Sequence, residues 1–189
     1  MDIVVSRYNE DVAWTKQLPN VKIYNKGAPL PEPFAATPLP NVGREGHTYY
    51  HHIVTHYDTL AEHTAFVQGN PFDHSPHVLA NIAYLNSQLH ENIPLEFAYI
   101  SEYLFDCNLA GCHHHPGLPM VDVYEHLFGE RLYAKPFVFG GGAQFAVSRD
   151  VIYRRPQAFY QKIVDMLAYD VNPIEGFVIE RFHGLVFSV

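Results

Sequence analysis

Hydrophobic residues in this chain fall in short blocks divided by polar turns. Ile3-Val4-Val5 is a continuous apolar run within residues 2–6, too short for a helix and suited to a strand buried on both faces. Tyr8-Asn9-Glu10-Asp11 follows as a strand-to-helix turn, with Asn9 placed to N-cap a helix reaching Leu18. Residues 21–24 read as a second strand closed by Asn25-Lys26-Gly27. The five prolines between 28 and 40 then predict a loop. From Arg44 to Leu60 the period changes to helical, because Tyr49, Ile53 and Tyr57 share a face. Residues 64–68 form a third strand broken by Gly69-Asn70-Pro71, and Ser75-Pro76 opens a helix to His90. A strand at 95–100, an irregular stretch at 105–119 and a helix at 121–128 ended by Gly129 come next. A strand pair folded around Gly140-Gly141-Gly142 and helices at 149–155, 157–169 and 174–186 complete the reading.

Strands alternating with helices predict an α/β domain with a mixed, mostly parallel central sheet flanked by helices. In such sheets ligands gather at the carboxyl ends of the strands. The polar turns Arg7 to Asp11, Asn25-Lys26 and Gln68 to His74 all fall there. At 189 residues the chain fits one domain. With 12 basic against 20 acidic residues and no Lys/Arg stripe, nucleic acid is not expected as a partner. The start has no basic leader, no run approaches a membrane span, and two cysteines make no disulfide framework; a cytoplasmic, reduced setting is the expectation.

The P-loop pattern, the G-x-G-x-x-G spacing, a G-x-S-x-G elbow and H-E-x-x-H are all missing. What remains is distributed over three blocks. These are Ile3 to Asp11 with Trp14; Asn41-Val42-Gly43-Arg44-Glu45-Gly46-His47-Thr48-Tyr49 continued by Phe66 to His74; and Gly141 to Arg149 with Pro156, Tyr160 and Ile179-Glu180-Arg181-Phe182. In this order they resemble a domain-of-unknown-function family, common in fungi and related to nucleotide-sugar glycosyltransferases of the GT-A type.

The resemblance implies a single GT-A-like domain over 1–189, with a nucleotide-sugar donor half at 1–100 and an acceptor half at 101–189. It implies a glycosyltransferase that moves a sugar from a nucleoside diphosphate donor to a hydroxyl of a glycan or other acceptor. Carried over by position, Tyr8-Asn9-Glu10 resembles the turn that holds base and ribose, and Asn41-x-Gly43-Arg44 the donor-side turn before the central helix. Gln68-Gly69-Asn70 stands where such enzymes usually carry Asp-x-Asp, which this chain lacks. A diphosphate leaving group needs its developing charge stabilised. Either Asp73 and His74 hold a divalent cation such as Mn²⁺ or Mg²⁺, or Arg7, Lys26 and Arg44 grip the phosphates directly. Gly141, Gly142 and Gln144 are assigned to the acceptor side, where bare backbone admits a sugar. Glu180, with Glu175 in reserve, is the expected base for the acceptor hydroxyl.

Two other readings compete. A non-catalytic carbohydrate- or nucleotide-binding module is favoured by the missing Asp-x-Asp. A His/Cys metalloenzyme, such as a hydrolase, would use His47/His51, His52/His56 or Cys107-x4-Cys112-His113-His114-His115. The first two pairs lie on different helix faces and lack a completing carboxylate, so hydrogen-bonded core histidines are the plainer expectation. Adjacent residues rarely share one ion, so for the third a polar loop with free thiols is the plainer one.

Overall fold

The computed structural model describes residues 1–112 and 114–188. Its centre is a six-stranded mixed sheet built from β1 (Asp2–Arg7), β2 (Val21–Asn25), β3 (Ala36–Pro38), β4 (His63–Gln68), β5 (Phe97–Tyr99) and β8 (Phe145–Ser148), in the order β3-β2-β1-β4-β8-β5. The first four strands are mutually parallel, whereas β8 runs antiparallel to both β4 and β5. The helices are α1 (Arg44–Thr55), α2 (Val78–His90), α3 (Met120–Phe128), α4 (Arg149–Tyr153), α5 (Gln157–Leu167) and α6 (Ile174–Phe187). Strand alternation sends Val4, Phe66 and Phe145 into a core with residues of α1, α3, α5 and α6. Ile3, Val5, Ala65, Val67 and Ala146 go to the opposite face, against α2 and Val12. Both faces are covered, which is why β1 reads as an unbroken apolar run. Among the described residues, no helix is long and apolar enough to cross a membrane.

Four local expectations are corrected. The segment around Gly140-Gly141-Gly142 is not a hairpin. β7 (Pro136–Gly140) pairs with β6 (Leu104–Asn108) in a separate ribbon, and β8 crosses into the central sheet. Gly142 and Ala143, both at positive φ, make that crossing. The irregular reading of 105–119 missed β6 because turn residues just beyond it obscured a five-residue strand. Asn9 caps no helix: residues 13–17 form a short 3-10 turn, and Asn9 Oδ1 instead accepts the Ala28 N–H at 2.9 Å. Finally, the proline-rich loop contains β3, an edge strand that tolerates Pro38 because an edge has unpaired backbone positions to spare. β8 comes from the later half of the chain and lies between β4 and β5 of the earlier half, so the two halves share one sheet.

The entry to α1 is fixed by Gly43. Its φ is +64°, and a Cβ there would lie 2.8 Å from both the Cβ and the carbonyl oxygen of Leu167. Gly43→Ala therefore combines left-handed strain with overpacking and should cost on the order of 2–6 kcal/mol. Urea denaturation checks this; an unchanged midpoint would show that the turn relaxes freely.

Candidate functional site

The carboxyl ends of β1, β2 and β4 are knitted together before any ligand is considered. Arg7 is 7% exposed, and its Nη1 donates to Asn25 Oδ1 (2.6 Å), Ala28 O (2.8 Å) and Tyr8 O (3.0 Å), while Nε donates to Glu10 O (2.9 Å). Gly27 closes the same junction, because any Cβ there would collide with the Tyr8 carbonyl at 1.8 Å. Lys26 Nζ donates to the carbonyls of Val42 (2.6 Å) and Arg44, fastening the turn before α1 to β2. In the loop after β4, Trp14 Nε1 donates to Gly69 O at 2.9 Å and Asn70 Nδ2 to Asp73 Oδ2 at 3.4 Å. Gln144 is fully buried beneath this loop and donates to Pro71 O at 2.9 Å. Its observed role is to support the loop.

These turns enclose an open cleft of about 600 Å³, within the usual range of roughly 300–1,000 Å³ for small-molecule sites. Arg7, Tyr8, Glu10, Lys26, Asn41, Arg44, Gln68, Asn70 and Asp73 all line it, so most of the expected donor residues converge. Asn9 and Gly43 lie outside the lining and shape the turns instead. Three cations (Arg7, Lys26, Arg44) face three carboxylates (Glu10, Glu45, Asp73). Tyr8 is half exposed at the rim, as a stacking surface would be. Arg44 sits at φ +52°, with its guanidinium 4.1 Å over the Phe177 ring and Nη1 bonded to Asn172 Oδ1 at 3.1 Å. Its Nε is buried, 3.8 Å from Glu45 and without a hydrogen bond among the described residues. Burial pulls the Lys26 ammonium down to about 8, partly offset by Glu45. Burial likewise pushes the Glu45 carboxyl up; Arg44 opposes that shift and Glu180 adds to it.

Residues 3–189 match the model of the family described as protein of unknown function (DUF3431). The chain belongs to the DUF3431 family. No curated protein and no solved structure matches it.

In this DUF3431 chain Glu180 lies outside the cleft lining, on α6. Its side chain is 13% exposed, Oε1 accepts the Gly142 N–H at 2.8 Å, and Oε2 is 3.7 Å from Arg181 Nη1. Gly141 and Gly142 pack directly on His74, whose Nδ1 is buried without a partner among the described residues; a Cβ on Gly142 would lie 2.8 Å from that ring. Glu180, Gly142 and His74 are therefore packed together beside the β4 loop, and Gly141 and Gly142, expected as bare backbone open to an acceptor sugar, are both buried beneath neighbouring side chains. Glu175 is elsewhere: it accepts from Tyr169 Oη at 2.7 Å and lines a separate groove with Val123, Lys162 and Met166.

Sequence reasoning missed Glu45, Val171 and Asn172 as cleft residues. Glu45 adjoins Arg44 in the first turn of α1, where acidic residues are common for dipole reasons alone, so its type carried no signal. Asn172 arrives from a distant loop that nothing local marks. The helix histidines are held singly: His52 Nδ1 pairs with Tyr24 Oη at 2.9 Å, and His56 Nδ1 lies 3.2 Å from His52 O. Among the described residues, no group of three or more His, Cys, Asp or Glu side chains is arranged to hold a metal ion. His113 of the Cys-His cluster lies outside the described residues.

Proposed function

We propose that this chain transfers a sugar from a nucleoside diphosphate sugar to a hydroxyl acceptor and is kin to the GT-A glycosyltransferases. The observation that carries the reading is the cleft at three parallel strand ends, where Tyr8, Lys26 and Arg44 face one another across a space of nucleotide size. Tyr8 stacks on the base, and Lys26 and Arg44 neutralise the diphosphate. The donor set suits a divalent cation poorly, since beside the neutral amides of Gln68 and Asn70 the Glu10 carboxylate accepts the Tyr8 N–H and the Asp73 carboxylate accepts from Asn70. The charge of the leaving group therefore falls on the two cations, which act as fixed electrostatic stabilisers. Glu180 takes the proton of the acceptor hydroxyl.

Thermal shift across nucleoside diphosphate sugars tests the donor step. A ligand at 100 times its Kd should stabilise the protein by about 2.7 kcal/mol, and Arg44→Ala should remove most of the shift. Lys26 adds a pH signature. A bound diphosphate raises its pKa, so donor affinity should fall as pH rises above about 8, where free-protein Lys26 loses its proton. No stabilisation by any nucleoside diphosphate would sink the reading. The missing Asp-x-Asp favours one alternative, a non-catalytic binding module. Stabilisation without transfer of labelled sugar to any acceptor would select it.

A further inference from the structure

Cys107 is the penultimate residue of β6, and after Asn108 the chain turns back at once through a tight two-residue loop. Asn108 and Gly111 form an antiparallel bridge, with Gly111 N–H donating to Asn108 O at 3.0 Å. Asn108 Oδ1 stiffens the turn by accepting the Ala110 N–H at 3.0 Å. One step outward in this register, Cys107 and Cys112 stand opposite each other. Because Asn108 and Gly111 take the hydrogen-bonded position, the cysteines take the non-hydrogen-bonded one. There, facing Cα atoms are about 4.5 Å apart and side chains are at their closest. A disulfide needs Cα atoms roughly 4.4–6.8 Å apart, so that position of a hairpin is within bridging range, and the two thiols are close enough to hydrogen-bond each other.

The chemistry of the pair is unequal. Arg181 Nε donates to Cys112 Sγ at 3.4 Å, and the guanidinium is held over the Phe139 ring at 4.8 Å. Burial opposes ionisation of Cys112, but hydrogen bonds from Arg181 and from the Cys107 thiol outweigh it and lower its pKa. Burial first, and the neighbouring Cys112 sulfur second, push the Cys107 thiol up to about 11. A thiolate beside an arginine is a reactive sulfur, and a neighbouring thiol is its natural resolving partner. Both cysteines are buried and free, whereas Ala110, Gly111 and His114, beside them in the chain, are exposed.

We propose that Cys107 and Cys112 are a redox-active dithiol that hydrogen peroxide closes to an intrachain disulfide, with Cys112 as the attacking sulfur and Cys107 as the resolving one. In the first step the Cys112 thiolate attacks a peroxide oxygen. The O–O bond breaks, hydroxide leaves and is protonated to water, and Cys112 becomes a sulfenic acid. In the second step the Cys107 sulfur attacks the Cys112 sulfur. The S–O bond breaks, and a second water leaves carrying the Cys107 proton. Two thiols are oxidised and one peroxide is reduced to two waters.

The test uses the reduced full chain, treated with increasing hydrogen peroxide, then alkylated and weighed intact. The expected product has lost two hydrogens, takes up no alkylating agent, runs as a monomer without reductant and keeps its circular dichroism. Peptide mapping should place the bond between Cys107 and Cys112. With peroxide and dimedone, Cys107→Ser should be labelled at Cys112, whereas Cys112→Ser should stay unlabelled at Cys107. Two freely alkylated thiols after peroxide treatment, a disulfide between chains, or labelling at Cys107 instead would overturn the proposal. The wild-type mapping decides even if one serine variant does not fold.

Discussion

Glu180→Gln should lower the turnover of the proposed sugar transfer on the order of 10²–10⁴-fold, the usual loss when a positioned general base is removed. Glutamine keeps the shape and an oxygen for the Gly142 N–H, which Glu180 Oε1 now accepts at 2.8 Å. It cannot take a proton from an acceptor hydroxyl. Donor affinity should stay near wild type, because Glu180 is not part of the cleft lining. Glu45 separates from it by parameter. It lines the cleft beside Arg44 and Lys26, so Glu45→Gln should change the donor Kd more than kcat. Glu175→Gln should leave transfer untouched, since Glu175 lines another groove. Circular dichroism of each variant distinguishes lost chemistry from lost folding. A folded Glu180→Gln protein with full turnover, beside a Glu45→Gln protein with little, would move the base to Glu45.

The part of this arrangement that was legible in the sequence is the part set by local rules. Ile3-Val4-Val5 could only be a strand covered on both sides, and parallel strands align their carboxyl ends. The turns after Ser6, Tyr24 and Gln68 were thus bound to meet. The illegible part is non-local. Gly140-Gly141-Gly142 has the composition of a hairpin turn, and only the pairing of β7 with β6 shows that it is a crossing. Asn9 has the type and position of an N-cap, yet its side chain reaches 19 residues along the chain to Ala28 N. Spacing of four between histidines places them on one helix face without saying what faces them. In the structure that is a tyrosine hydroxyl for His52.

Acid should unfold this protein well above the pH at which carboxylates alone would. His52 and His183 are each 1% exposed, and burial brings both down to about 3; His47 is 6% exposed and falls to about 4, from burial first and Lys26 second. His183 sits between Tyr50 Oη, 2.9 Å from its Nδ1, and the Phe145 ring at 4.5 Å, with Nε2 unpartnered among the described residues. His52 lies under the His56 ring at 4.5 Å, and His47 stacks on His51 at 6.0 Å. No carboxylate is bonded to any of the three rings among the described residues, so the native state keeps them neutral. An unfolded chain protonates them near pH 6.5. Between about pH 6.5 and the folded values the unfolded state binds more protons, so stability falls as pH falls. Each such proton is worth about 1.4 kcal/mol per pH unit, and three approach roughly 4 kcal/mol per unit. A domain stability of about 5–15 kcal/mol would be consumed within a few units. Glu45 acts in the opposite sense. Its carboxyl is pushed up by burial, so the native state takes that proton first and gains against the unfolded chain as pH drops. That opposes part of the histidine effect. Urea midpoints should therefore drop steeply between pH 6.5 and 5, a window in which ordinary carboxylates remain ionised in both states. A midpoint that stays level across that window would mean the three histidines acquire protons without unfolding. In that case their rings are far more accessible than the packing around Tyr24, Tyr50 and Phe145 implies.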